Sequence, residues 1–215
     1  MDPQVLQMLK TGLLETLYMV FVSSLLSYVL GIPLGILLTV TGEGGIAPVK
    51  WLYTLVGVVI NFLRSIPFII LLIMVLPLTR VLVNTTLGPT AVIPPLVIAA
   101  APYIARMVES SLKEVDAGVI EAAKSMGAGT FDIIFKVLLP ESKPSLLVGA
   151  AISVTTILSY SAMAGFTGGG GLGTLAINYG YYRYQTGIMM VTVAVLVLLV
   201  QVIQEVFMGL SRKTD

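Results

Sequence analysis

The chain has 215 residues, 57% of them hydrophobic and only 11% charged, with a mean hydropathy of +1.00 and a net charge of +1. A soluble domain carries roughly 25% charged residues, so an ordinary water-soluble globule is excluded. Cysteine and histidine are both absent, which removes disulfides, thiolate chemistry, a lipid anchor on cysteine, the commonest metal ligand and the usual acid–base group at neutral pH.

About 20 apolar residues cross the hydrocarbon core as a helix. Charge-free runs of that length recur: 27 residues between Glu15 and Glu43, 25 between Arg80 and Arg106, and 21 between Arg183 and Glu205. A further 39 uncharged residues, Pro144 to Tyr182, hold one more span and a glycine-rich loop. The expected fold class is therefore an all-α polytopic membrane protein with five transmembrane helices inside residues 11–208, between short termini at 1–10 and 209–215.

The first span runs from about Thr11 to Val40, with Gly31, Pro33 and Gly35 bending its second half. Its apolar run is longer than the roughly 7–15-residue core of a signal peptide, so it reads as a retained span. The second falls between Trp51 and Leu78 and is interrupted by Arg64. A charge at the centre of a span costs about 2.5–3.5 kcal/mol, and the uncharged run after it, Ser65 to Thr79, is only 15 residues. That favours Arg64 as an anchor at the cytoplasmic edge, with Trp51 to Leu63 lying partly along the interface; a substrate or gating role is the alternative. The third span, about Thr90 to Leu112, contains Pro94, Pro95 and Pro102, and a kink is expected because proline frees carbonyls that neighbours must satisfy.

The fourth span, about Ser145 to Ala164, is rich in small residues that allow close helix packing. Ser159, Tyr160, Ser161 and Met163 lie near its outer end. In a two-fold pair this span lines a path with Met163 as an adaptable apolar plug; ordinary packing is the equal alternative for Met163. The glycine run Gly168 to Gly173 lacks the Gly-Lys-Ser/Thr ending of a phosphate-binding loop and reads as a flexible turn, or else as a pliable lip. The fifth span, about Thr186 to Met208, is the plainest lipid-facing candidate. No inverted pair of broken helices relates two halves, and after Glu15 no span contains a mid-membrane Asp or Glu, so an ion-coupled carrier is disfavoured.

Lys and Arg placement sets the orientation. Lys50, Arg106, Lys113, Lys124, Lys136, Lys143, Arg212 and Lys213, eight of twelve, fall on one side, which is read as cytoplasmic. The N-terminus then faces out and the C-terminus faces the cytoplasm. The loop 113–143 holds nine of the 23 charged residues and is the segment built for water. Asp116 can cap a helix from Ala117 to Met126, with Val119, Ala122, Ala123 and Met126 on one face. Gly127 and Gly129 turn the chain. Thr130 then caps a second helix whose Phe131, Ile134, Phe135 and Leu138 share a face, with Asp132 and Lys136 at i, i+4 on the far side, until Pro140 closes the unit.

Glu121-Ala122-Ala123, three residues, Gly127, nine residues, Val137, one residue, then Leu139-Pro140 is a specific spacing. At these positions the chain resembles the transmembrane subunits of type I ATP-binding-cassette importers, whose cytoplasmic Glu-Ala-Ala loop forms the coupling helix. The stretches Arg64 to Leu72, Ala100 to Leu112, Ser159 to Gly165 and Gly168 to Gly173 resemble, within that family, the permeases of bacterial methionine importers. The resemblance implies a type I importer permease fold in the bacterial inner membrane. It implies translocation of methionine, of either hand, or alternatively of another small amino acid, with no catalysis and no cofactor on this chain. Implied partners are a second copy of the chain, two cytoplasmic ATPase subunits that hold ATP and magnesium, and an external binding protein that the glycine lip could touch. Glu121 is then expected to pair with a basic group on the ATPase, with a solvated charge as the alternative; Ala122 and Ala123 allow close approach and Gly127 permits the seating turn.

Overall fold

The computed structural model describes residues 3–214, and every regular element among them is helical. In chain order these are α1 (Pro3–Thr41), α2 (Lys50–Ser65), α3 (Phe68–Val83), α4 (Pro89–Lys113), α5 (Ala117–Ser125), α6 (Thr130–Ile133), α7 (Leu139–Glu141), α8 (Lys143–Met163), α9 (Gly171–Leu175) and α10 (Thr186–Ser211). Wide π turns at Ile134–Leu138 and Ala176–Tyr181 and a tight 3-10 turn at Ala164–Thr167 complete the helical path.

Four helices, α1, α4, α8 with its 3-10 extension, and α10, are each long and apolar enough to cross a membrane. A fifth segment is long and apolar enough only as a pair, α2 with α3, which meet at 107°. Local chemistry makes that corner. Ile66 precedes Pro67 and is held extended at φ −83°, ψ 122°, because the proline ring excludes helical backbone at the residue before it. The break falls two residues after Arg64, where the sequence signalled an interruption.

α4 is the centre of the bundle. Val92, Leu96, Ala100, Ile104, Val108 and Leu112 recur every four residues and are all buried. α1 packs chiefly on this helix. Apolar transfer gives no net drive between helices already in lipid, so contact geometry decides the association. Gly31 and Gly35 supply it: a Cβ on Gly31 would come within 2.6 Å of Ile104, and one on Gly35 within 2.6 Å of Val108. These glycines were expected to bend α1. The helix continues unbroken to Thr41 with Pro33 inside it, and the glycines serve close approach. α4 also continues through Pro94, Pro95 and Pro102 to Lys113. α10 is the reverse of α4, with most large side chains facing outward.

Candidate functional site

The segment 113–143 folds as a compact helical unit at the end of the bundle where α1 and α4 finish and α8 begins. Asp116 caps α5, its carboxylate accepting from the Gly118 N–H at 2.7 Å. The helix ends in a paired carbonyl closure: the Gly127 N–H donates to the Lys124 carbonyl at 2.9 Å and the Ala128 N–H to the Ala123 carbonyl at 3.0 Å. That closure needs a left-handed residue, and Gly127 sits at φ +82°.

The buried faces differ from the pattern-based reading. In α5 the inward side chains are Ile120 and Ala123, while Val119, Ala122 and Met126 are exposed, Met126 to 82%. In the second half Ile133, Ile134 and Leu138 are buried, and Phe131 and Phe135 face outward at 77% and 61%. Thr130 is the first helical residue rather than the cap, a position taken by Gly129. Pro140 does not end the unit. It lies within α7, and the π turn before it, in which the Leu139 N–H reaches the Ile134 carbonyl, widens the helix where a proline ring would otherwise crowd the preceding turn. Glu121 is exposed and pairs with no cation among the described residues. The unit thus presents Glu121, Ala122, Met126, Phe131 and Phe135 to its surroundings. The Lys136 ammonium, 2.6 Å from Asp132, holds that carboxyl below its ordinary value by hydrogen bonding and then by Coulombic attraction.

Immediately before this unit lies a charged cluster that sequence reasoning missed. Glu109 is 4% exposed, deep in the last two turns of α4. Its two oxygens accept from Arg106 at 2.6 Å, Lys113 at 2.7 Å and the Tyr53 hydroxyl at 3.2 Å. Arg106 continues to the Asn61 side chain at 3.2 Å and the Gly57 carbonyl at 3.4 Å, both on α2. The signal available in the sequence was spacing: cations at i−3 and i+4 place both partners on the face of Glu109.

The four residues singled out on α8 do not share one face. Ser159 is exposed and Met163 is 45% exposed, on one face with Ile152, Thr155 and Thr156. Thr155, Thr156 and Ser159 return their hydroxyls to backbone carbonyls of the preceding turn, so the face is smooth and moderately polar. Tyr160 instead turns inward and stacks on Phe68, the first residue of α3, with centroids 4.5 Å apart and planes 4° from parallel. Ser161 is buried and bonded to the Leu158 carbonyl. Arg64 lies at the α2–α3 corner with its guanidinium 6.0 Å from the Tyr103 ring centroid.

The glycine run at the opposite end is not a free turn. Gly171 and Leu172 donate to the Glu15 carboxylate at 2.6 Å and the Thr16 hydroxyl at 2.9 Å. Leu172 is fully buried, and a Cβ on Gly173 would collide with the Ala162 backbone.

A family model described as "Binding-protein-dependent transport system inner membrane component" matches residues 31–213. The "Probable D-methionine transport system permease protein MetI" of Vibrio cholerae is 47% identical over 208 residues, covering 97% of this chain and 92% of that one. The D-methionine transport system permease protein MetI of Escherichia coli K12 is 48% identical over 165 residues, 77% of this chain and 76% of that one. A chain of the MetNI methionine ABC transporter, solved in inward-facing conformations, superposes with a TM-score of 0.98 at 45% identity, covering both chains completely.

Proposed function

This chain belongs to the family of binding-protein-dependent transport system inner membrane components, and on that premise we propose that it is the permease of an ATP-driven methionine importer. The observation that carries the mechanism is the unit at 113–143, which is folded yet turns Met126, Phe131 and Phe135 outward beside Glu121, which has no cation partner among the described residues. Exposed apolar side chains around a charge, on a loop next to a polytopic bundle, are what a docking surface for another protein needs.

In this reading the docked partner is a cytoplasmic ATPase subunit, and ATP and magnesium are held there. Glu121 pairs with a basic group of that subunit, Ala122 and Ala123 let the backbones approach, Gly127 fixes the angle of α5, and Pro140 sets the π-turned exit into α8. Closure of two ATPase subunits moves both loops, and the spans change between two packings biased by ligands. One chain supplies five crossings at most, and a two-fold homodimer is the simplest closed pathway. The face of Ser159 and Met163 lines that pathway, with Tyr160 and Ser161 as its internal support. Arg64 anchors the corner of the bent span at the cytoplasmic edge. The N-terminus faces out, the C-terminus faces the cytoplasm, and a binding protein delivers methionine at the glycine end.

Reconstitution with the ATPase subunit and the binding protein tests the reading. Uptake of labelled methionine should require ATP and be competed by excess methionine but not by other amino acids. Uptake without ATP, or equal competition by unrelated amino acids, would overturn it.

A further inference from the structure

Glu109 occupies a position that neither the docking loop nor the pathway face explains. It is buried, it is bonded by three donors from two helices, and it lies one turn before α4 hands over to the loop at Lys113. Two of its donors, Arg106 and Lys113, are on α4 itself, and the third, Tyr53, is on α2. Arg106 adds two more bonds to α2, at Gly57 and Asn61. The Lys113 ammonium also sits 5.6 Å from the Tyr53 ring centroid. Most of α2's large apolar side chains, Trp51, Leu55, Val58, Val59 and Phe62, face away from the bundle. Beside the apolar contacts of Val56 and Ile60 and the Arg64–Tyr103 contact, the helix is tied to α4 through this polar cluster.

α2 leads into the 107° corner at Ile66–Pro67 and then into Phe68, whose ring lies flat on Tyr160 of α8. Three residues on from Tyr160 is Met163. A continuous set of physical contacts therefore runs from the base of the loop through Glu109 to α2, around the corner to Phe68, and onto the helix that carries Ser159 and Met163.

We infer that Glu109 is a positioning residue for transport: it fastens α2 to the end of α4, so that displacement of the loop carries the bent span and, through Phe68 and Tyr160, shifts the pathway face. This rests on the reading of 113–143 as the docking loop and of α8 as pathway-lining. A charge bonded this way resists separation from its partners strongly, so α2 and the end of α4 move as one body. Without the charge the loop still docks, but its motion is no longer passed on.

The test uses the full complex with its ATPase subunits in proteoliposomes. Glu109→Gln should leave ATPase association near wild type while lowering methionine uptake per ATP about tenfold, within the usual range of coupling between sites. Tyr53→Phe should lower the same ratio about threefold, and the double variant should be no worse than Glu109→Gln alone, as residues acting through one contact are not additive. Glu109→Asp, which keeps the charge, should retain most of the coupling. The chain contains no cysteine, so Met163→Cys gives one reporter position on this chain; its labelling by aqueous thiol reagents should change with nucleotide in the otherwise wild-type complex and cease to change when combined with Glu109→Gln.

Uptake per ATP within twofold of wild type in Glu109→Gln overturns the inference. Should Glu109→Gln fail to assemble, Tyr53→Phe decides, and wild-type coupling in that variant overturns the inference. If the Met163→Cys reporter ignores nucleotide without any other change, the pathway reading of α8 fails; the uptake ratio still judges Glu109. If wild-type uptake does not depend on ATP, the importer reading itself fails.

Discussion

The two ordered loops of this protein invert what their compositions suggest. The glycine-rich one, uncharged from Gly168 to Tyr182, is gripped by the bundle: Gly171, Leu172 and Gly173 are buried, and α1 supplies acceptors to two of their amides. The charge-rich one, 113–143, keeps its ion pair and much of its apolar surface outside. Glycine here means the absence of a Cβ where two backbones meet, and amphipathicity means a face reserved for something other than the chain's own core. Flexibility and burial are thus set by contact geometry rather than by residue class.

The strongest way to break this contrast is at Gly173. Gly173→Val places a side chain against the Ala162 backbone, which yields less readily than a side chain end, so a cost at the upper end of the range for overpacking, about 3 kcal/mol, is expected. The measurement is the yield and unfolding temperature of detergent-solubilised protein, and a valine variant of normal stability would mean that the glycine loop is loose after all. Glu121→Lys should have the opposite signature: unfolding unchanged, because no partner among the described residues is lost, but uptake in the reconstituted importer reduced about tenfold or more, as when one member of a buried interfacial charge pair is reversed. Gly127→Val should resemble it with a milder loss of α5, since nothing lies within 4 Å of a Cβ there and only the left-handed backbone is penalised, by about 1–3 kcal/mol.

A smaller change sharpens the view of the glycine loop. Glu15→Gln exchanges a charge-assisted acceptor for a neutral one at the Gly171 amide, and about 1 kcal/mol of stability should be lost, read as a modest fall in unfolding temperature. The smallest effect is expected at Asp132. Its carboxyl titrates below its ordinary value because of Lys136, so the pair's contribution is fully present above the unfolded-state value and disappears only as pH falls through the lower folded-state one. Asp132 is exposed, so thermal unfolding across that acidic window should differ little between wild type and Asp132→Asn, whereas a large difference would show that the loop's ion pair is structural.

Much of this architecture was legible in the residues. Charge-free runs located four spans and the interrupted fifth, since a bilayer leaves little tolerance for unpaired charge. The spacing from Glu121 to Pro140 located the loop, and Asp116 and Gly127 marked the start and stop of α5 for local backbone reasons. What was not legible depended on neighbours distant in sequence. The inward face of α5 is one residue away from the one its pattern suggested, because Ile120 and Ala123 find the bundle while Val119 and Met126 do not. Tyr160 looked like a companion of Met163 until Phe68 arrived from another helix. Glu109 was not singled out, since nothing in its own turn announces Tyr53, 56 positions away. The same holds for Gly31 and Gly35, whose role is defined by Ile104 and Val108 rather than by the proline between them.

The length of α1 has a consequence for how the whole molecule stands in its membrane. From residue 16 onward the helix is uncharged to its end at Thr41, about 40 Å of helix at 1.5 Å per residue, against hydrocarbon about 30 Å thick. The excess of about 10 Å is taken up by tilting, by kinking or by local thickening of the bilayer. α1, which packs along α4, therefore outreaches the hydrocarbon it crosses, and a bilayer of different thickness would act first on that surplus length.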